Sequence, residues 1–264
     1  MSAKTVCLFD NAIVRTPCHG IVDGLRAVDL GSPDFVKVLA EHAAYVAALQ
    51  DAGVQVEILP PLDAYPDSMF VEDPALVFHE GGIVMRPGAA SRFGEAAEMA
   101  PVLKKRFSHV LELPAPGFAD GGDVLVLADR VMIGLSDRTN ETGAEALAGC
   151  LRALGKSPVI VRTPPNVLHF KSDCSLLDEK TVLSTKRLAA GGVFSGLNIL
   201  YTPDGEEGAA NALRINDRVF VGSAFPKTIA MLQTEGYRVV PLATSEIAKV
   251  DAGLSCMSLR WRVS

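Results

Sequence analysis

The 264-residue chain has one tryptophan, five histidines, five cysteines and only 6% aromatic residues, and each shortage excludes something. Five is an odd number. Cys7, Cys18, Cys150, Cys174 and Cys256 form no CxxC pair and have no histidine at zinc-finger spacing. Neither a disulfide scaffold nor a structural zinc is indicated, and reduced thiols in a reducing compartment fit best. No histidine pair stands at metal-ligand spacing on a helix, so no metal is expected. Basic residues are outnumbered, 25 against 31 acidic, and the net charge of −6 disfavours nucleic acid as a partner. No apolar run approaches the ~18 residues of a membrane span, and Met1-Ser2-Ala3-Lys4 leads into strand-like sequence rather than a secretory leader. What is abundant is apolar: 48% hydrophobic against 21% charged, enough for a sizeable core and incompatible with a disordered or fibrous chain. A cytoplasmic protein without membrane contact is expected.

A repeat runs through the sequence. Glu72-Asp73, Gly122-Asp123, Ser172-Asp173, Ala210-Asn211 and Ser255-Cys256 each place a small or polar pair before a short apolar run, and their second members lie 50, 50, 38 and 45 residues apart. One unit repeated with variable loops accounts for this spacing. Within a unit, two short apolar runs separated by a turn predict a hairpin, followed by a helix and a last strand: Ala75 to Phe78, Ile83 to Met85, Glu95 to Phe107 and Val110 to Leu113. The next unit repeats the order after Asp123, with a helix over Glu141 to Leu154 and a strand over Pro158 to Val161. The final run from Cys256 has no helix after it, whereas the N-terminus supplies a strand at Ala12 to Arg15, a helix starting at Ser32-Pro33, and a strand at Val54 to Leu59. The fifth unit is therefore split between the termini. Their pairing closes a ring without free edges, a single domain over residues 1–264.

Equivalent strand starts in such a ring face a common axis. Asp67, Glu72, Asp73, Asp120, Asp123, His169, Asp173 and Cys256 should meet there, although they span most of the chain. Cys256 stands among small residues, between Ser255 and Ser258, and is the favoured nucleophile. Cys174 comes second, because the neighbouring Asp173 suppresses its thiolate. His169, flanked by Leu168 and Phe170, is either a buried core histidine or an acid and base for that cysteine. Asp67, Glu72 and Asp73 bracket Phe70, and such a cluster would repel itself unless a cation belonged there. A planar, forked guanidinium pairs well with two carboxylates.

These residues carry a resemblance. Ile21-Val22-Asp23-Gly24-Leu25, Pro66 to Pro74, Arg86-Pro87-Gly88 through Ser91-Arg92 and Gly94-Glu95, and Asp120-Gly121-Gly122-Asp123 lie in order along the chain. Arg138-Thr139-Asn140, Leu168-His169-Phe170-Lys171, Ala209-Ala210-Asn211 and Ser245-Glu246 through Leu254-Ser255-Cys256 follow. The ordered set resembles the dimethylarginine dimethylaminohydrolase family of the guanidine-modifying (pentein) superfamily. The resemblance implies a fivefold pseudosymmetric α/β propeller of ββαβ repeats. It also implies a hydrolase without cofactor or metal that converts Nω-methylated arginines to citrulline and a methylamine through a covalent thiouronium. By the same resemblance Cys256 is the nucleophile, His169 the acid and base, and Asp120 the carboxylate that orients it. Asp67 and Glu72 bind the guanidinium, with Asp73, Phe70 and Val250 beside them. Arg92 and Arg138 hold the substrate carboxylate, and Ile21 lies in the loop that covers the site. The partner expected is a small guanidino amino acid, and a homodimer is left open.

Two rivals remain at this stage. Arginine and agmatine deiminases, amidinotransferases and citrulline-hydrolysing relatives reuse the same cysteine, histidine and carboxylates. A ribosome anti-association factor shares the propeller without chemistry, but leaves Cys256, His169 and the paired carboxylates unexplained, and an acidic chain is a poor fit to an RNA-rich partner.

Overall fold

The computed structural model describes residues 6–165 and 167–263; Met1 to Lys4, read above as no secretory leader, lies outside the described residues. The order begins β1 (Asn11–Arg15), α1 (Phe35–Asp51), β2 (Gln55–Leu59). Four full units follow. They are β3 (Ala75–Phe78), β4 (Gly81–Val84), α2 (Phe93–Arg106), β5 (Val110–Glu112); then β6 (Val124–Val126), β7 (Val131–Leu135), α3 (Glu141–Ala153), β8 (Pro158–Arg162). After these come β9 (Cys174–Leu176), β10 (Thr181–Ser184), α4 (Lys186–Ala189), β11 (Asn198–Tyr201); then β12 (Leu213–Ile215), β13 (Arg218–Gly222), α5 (Pro226–Thr234), β14 (Arg238–Leu242). The last strand is β15 (Leu259–Trp261).

Each unit folds into a three-stranded sheet whose middle strand pairs antiparallel with the strand before it and parallel with the strand after the helix. A parallel neighbour cannot be reached by a tight turn, so the intervening helix is the crossover and packs on the sheet's flank. In the second sheet Leu76 faces Ile83 and Ile83 faces Leu111. The helix of the third full unit, α4, has only four residues, which explains why that repeat spans 38 residues instead of 50.

The first sheet has the order β15-β1-β2, with Ile13 opposite Leu259 and Asn11 opposite Trp261. The two ends of the chain thus close the ring as the repeat predicts, and the molecule is a fivefold α/β propeller. Burial follows sequence period. Helix α1 buries Val38, His42, Tyr45, Val46 and Leu49 on one face, and α3 buries Ala144, Leu147, Ala148 and Leu151. At the closing seam Ile13, Leu259 and Trp261 pack with Val71, Ala75, Val84 and Leu103 of the next unit.

One boundary differs from expectation. The cap of α1 is Asp34, whose carboxylate accepts from the N–H groups of Val36 and Lys37, and not Ser32. Glu246 in turn accepts from the Asp34 N–H, which fixes the entry of the helix two residues later than Ser32-Pro33 suggested. No helix among the described residues is long and apolar enough to cross a membrane.

Ile13 is fully buried at the seam, whereas Val36 is 73% exposed. Ile13→Ala is expected to cost about 2–5 kcal/mol and Val36→Ala less than about 0.5 kcal/mol in denaturant unfolding. Equal midpoints for the two variants would show that the terminal seam carries no stability.

Candidate active site

Single helical turns at Gly121–Asp123, Phe170–Ser172 and Leu254–Met257 lead into β6, β9 and β15, so the residues on or just before them gather at one end of the ring axis. The approach is close enough to demand glycine. A Cβ on Gly121 would lie 1.9 Å from the Glu72 carbonyl oxygen, and one on Gly122 would lie 2.8 Å from Asp73 Oδ1 and 2.9 Å from His169 Cγ. The Gly-Gly pair after Asp120 is therefore what lets Asp73, ahead of the second sheet, and His169, ahead of the fourth, come together.

His169 Nε2 and Asp120 Oδ2 are 2.9 Å apart. Asp120 is held in turn by the Gly88 N–H on Oδ1 at 2.7 Å, and its own N–H donates to Thr139 Oγ1. Asp73 accepts from the Gly122 N–H at 3.0 Å, and one atom each of Asp73, Asp120 and His169 lie within 4.8 Å of one another. Cys256 enters from the closing strand, where its carbonyl accepts from the Glu72 N–H. Asp123 lies beneath them: it accepts from the Phe170 N–H, Ser136 Oγ and Thr139 Oγ1, and so braces the backbone beside His169 and the partner of Asp120.

These contacts set the ionisation. Burial opposes charge on His169, but Asp73, the hydrogen bond to Asp120 and the field of Asp123 more than offset it and carry the imidazole up to about 9. Burial, then Asp73 and Glu72, push the Cys256 thiol up to about 11, while the Gly253 N–H and Lys171 pull weakly the other way. Near pH 7 Cys256 therefore rests as a neutral thiol and His169 as an imidazolium, both under the field of Asp73. Burial would raise Asp73 as well, but Arg92 and His169 overcome it and hold that carboxyl below its ordinary value. Asp67 is raised, because burial outweighs Arg92 and the Leu25 N–H.

The remaining residues foreseen for substrate divide into two groups. Ile21, Phe70, Val250 and Cys256 fall in one buried cluster, and Asp67 accepts from the Leu25 N–H. The loop carrying Ile21 is thereby tied over the acidic wall. A Cβ on Gly24 would meet Asp67 Oδ1 at 3.0 Å and Val250 at 3.1 Å, so Val250 abuts the same loop. Arg138 is half-buried, and its guanidinium has no hydrogen-bond partner among the described residues. Arg92, in contrast, is 4% exposed and turned inward. Its Nη1 donates to Asp73, its Nε to Glu95, and its Nη2 to Glu95 and to the carbonyls of Phe70 and Asp67. Only Nη1 keeps a spare hydrogen.

Asp173 is not drawn into this group, because its carboxylate is engaged by Thr185 and by a forked pair with Arg187. Cys174 is buried with its thiol donating to the Phe170 carbonyl, and burial pushes it up. Three residues that sequence reading had not assigned complete the site. Glu95 shares Arg92; Lys171 at 2.6 Å and Arg260 at 2.7 Å both meet Glu72 Oε1. Glu72 Oε2 is buried and has no partner among the described residues. The acidic cluster is therefore partly neutralised by the chain's own cations, where the sequence suggested that a ligand would have to do so. Lys171 ends the motif containing His169, and Arg260 is four residues after Cys256, but nothing in their spacing told which carboxylate they would meet. Glu72, Lys171 and Arg260 also line a separate cavity of about 560 Å³, whose described lining includes none of Asp67, Asp73, Asp120, His169 and Cys256.

The family model described as N,N dimethylarginine dimethylhydrolase, eukaryotic, matches residues 35–163. The chain is 38% identical over 255 residues to the N(G),N(G)-dimethylarginine dimethylaminohydrolase of Pseudomonas aeruginosa, covering 96% of this chain and 100% of that one. It is 32% identical to the enzyme of the same name from Streptomyces coelicolor, over 95% of this chain and 96% of that one. A solved structure of a cysteine-to-serine variant of the Pseudomonas protein, complexed with citrulline, superimposes with a TM-score of 0.93 over 96% of this chain and 99% of that one. With a full-length relative above 30% identity and a shared propeller, the chain belongs to the dimethylarginine dimethylaminohydrolase family.

Proposed function

We propose that this chain, acting as a single catalytic domain, hydrolyses Nω-methylated arginines to citrulline and a methylamine. What supports the reading is that Asp73 acts on both His169 and Cys256, and that Glu72, which also acts on Cys256, keeps one oxygen without a partner among the described residues. A guanidinium is a poor electrophile, so it has to be held rigidly and its leaving nitrogen protonated. Glu72 Oε2 and Asp67 take the guanidinium N–H groups. Arg138 meets the amino acid carboxylate, with Arg92 holding Asp73 and Glu95 in place and able to add only its remaining Nη1 hydrogen. Bringing a cation next to Cys256 lowers the thiol so that it loses its proton to solvent, and the thiolate then attacks the guanidinium carbon, forming a C–S bond as the C=N π electrons move onto nitrogen. His169 gives its proton to the methylated nitrogen, the C–N bond breaks and the amine leaves. The now neutral His169 takes a proton from water as the water adds to the thiouronium, and cleavage of the C–S bond releases citrulline. Asp120 holds the imidazole through both steps.

Cys256→Ser should fold normally and lose more than about a thousandfold in kcat, while Cys174→Ser keeps activity. Steady-state kinetics and intact mass after alkylation check this; a Cys256→Ser variant with wild-type turnover would end the covalent mechanism.

The resting thiol state gives a pH signature. With Cys256 pushed up to about 11, alkylation of the free protein by neutral iodoacetamide should still be climbing at pH ~9.5. A bound guanidinium ligand that does not block the thiol should move this rise to lower pH. A plateau near pH 7 in the free protein would mean a resting thiolate and contradict the assignment.

Substrate discrimination follows from the two ends of the pocket. Agmatine leaves Arg138 without its anion, and each lost charge-assisted hydrogen bond costs ~1.5–3 kcal/mol, so its kcat/KM should fall more than tenfold below that of monomethyl- or asymmetric dimethylarginine. Symmetric dimethylarginine, substituted on both nitrogens, should be poor. Turnover of arginine or agmatine above the methylated arginines would make the protein a deiminase, and citrulline as sole substrate would make it a ureidohydrolase.

A further inference from the structure

Arg260 makes four hydrogen bonds that run in two directions. Its Nη1 donates to the carbonyls of Ser255 at 2.9 Å and Ser258 at 2.7 Å, and to Ser258 Oγ at 2.7 Å. Its Nη2 donates to Glu72 Oε1 at 2.7 Å. The two serine carbonyls flank Cys256, and Glu72 is the carboxylate whose other oxygen is left unpaired. The guanidinium is therefore a strut between the turn that carries the thiol and the group assigned to the substrate cation. Its base is fixed as well. Arg260 lies on β15 opposite Ala12 of β1, and its neighbours Leu259 and Trp261 point the other way into the seam between the first two sheets.

We propose that Arg260 is a positioning residue that sets the distance between Cys256 and the guanidinium held by Glu72. Because both contacts come from one planar fork, movement of the Cys256 turn and movement of Glu72 are coupled. A lysine supplies the charge from a single point and cannot span the serine carbonyls and Glu72 together. Lys171 supplies such a charge on the same oxygen, Glu72 Oε1, and has no bond to the Cys256 turn. Orientation of reacting groups is worth large factors, and an error of about 1 Å costs about a hundredfold in rate. The proposal rests on the roles of Cys256 and Glu72 given above, and its test separates from theirs through a reagent that is not a substrate.

The reagents are chloroacetamidine, which is cationic, and chloroacetamide, its neutral counterpart. With each, the Cys256 thiolate displaces chloride, forming C–S as C–Cl breaks. The wild type should react at least about tenfold faster with the amidinium, because Glu72 presents it to the thiol. Arg260→Lys should bring that preference to within about threefold of unity and lower kcat/KM for asymmetric dimethylarginine by about 30- to 300-fold. Tyr45→Phe removes the Tyr45 hydroxyl from Ser258 Oγ and from the neighbourhood of the Arg260 guanidinium but leaves the bonds of Arg260 to Ser255, Ser258 and Glu72, and it should melt earlier with both ratios within about twofold of wild type. In a Glu72→Gln background Arg260→Lys should change the amidinium preference less than about twofold. Where Arg260→Lys does not fold, Arg260→Met combined with Glu72→Gln removes both charges together, and its chloroacetamide rate should differ from that of Glu72→Gln alone by at least about fivefold. Retention of kcat/KM and of the preference in Arg260→Lys within threefold, additivity with Glu72→Gln, or equal chloroacetamide rates in the last pair would each overturn the proposal. A wild type that turns over no methylarginine yet keeps the amidinium preference would sink the substrate assignment and leave the strut standing.

Discussion

Carboxylates withdrawn from water must find cations, and the whole mouth of the ring is arranged around that requirement. Asp73 and Glu95 share Arg92, Glu72 is met by Lys171 and Arg260, Asp120 faces His169, and Asp173 is diverted to Arg187. Three of these pairs, Glu72 with Lys171, Glu72 with Arg260 and Asp120 with His169, join different repeat units, so the same contacts that neutralise charge also tie those units together at their inner ends. Of the carboxylates named here, Glu72 keeps one oxygen without a partner among the described residues.

The ionisation of Cys256 and His169 follows from the negative charge of the carboxylates around them. Carboxylates that stabilise the imidazolium of His169 destabilise the thiolate of Cys256, since both respond to the same field with opposite sign. A resting enzyme of this kind has the acid already loaded and the nucleophile unarmed. Its thiol is protected from stray electrophiles, and arming it falls to the cation that the site is built to receive.

The fold was legible because each unit repeats a hairpin, a helix and a strand, and because the last unit visibly lacked a helix that the N-terminus had to spare. Cys256, His169 and the carboxylates were legible for the same reason: they occupy equivalent places in the repeat, and the ordered motifs gave them roles. The inward turn of Arg92 was not. A buried arginine and one that meets a substrate carboxylate look alike in sequence, and only the position of Glu95 one helical turn away, together with the carbonyls of Asp67 and Phe70, decides between them. Lys171 and Arg260 were missed because their partner, Glu72, lies about 100 and 190 residues away, and no local period encodes a contact across the ring. Asp173 shows the opposite error, since equivalence in the repeat placed it at the axis while Arg187 and Thr185 took its carboxylate elsewhere.

The cluster of Glu72, Lys171 and Arg260 also divides the axis: the catalytic group lies to one side, and the cavity of about 560 Å³ to the other. In the mechanism proposed above, one imidazole, His169, serves both the departing amine and the hydrolytic water, so while the citrulline half is still bonded to sulfur the amine has to vacate that imidazole before the water can reach it. Sharing one acid and base makes the order of exit and arrival a property of the side chain, with the small product first, the water second and the amino acid last.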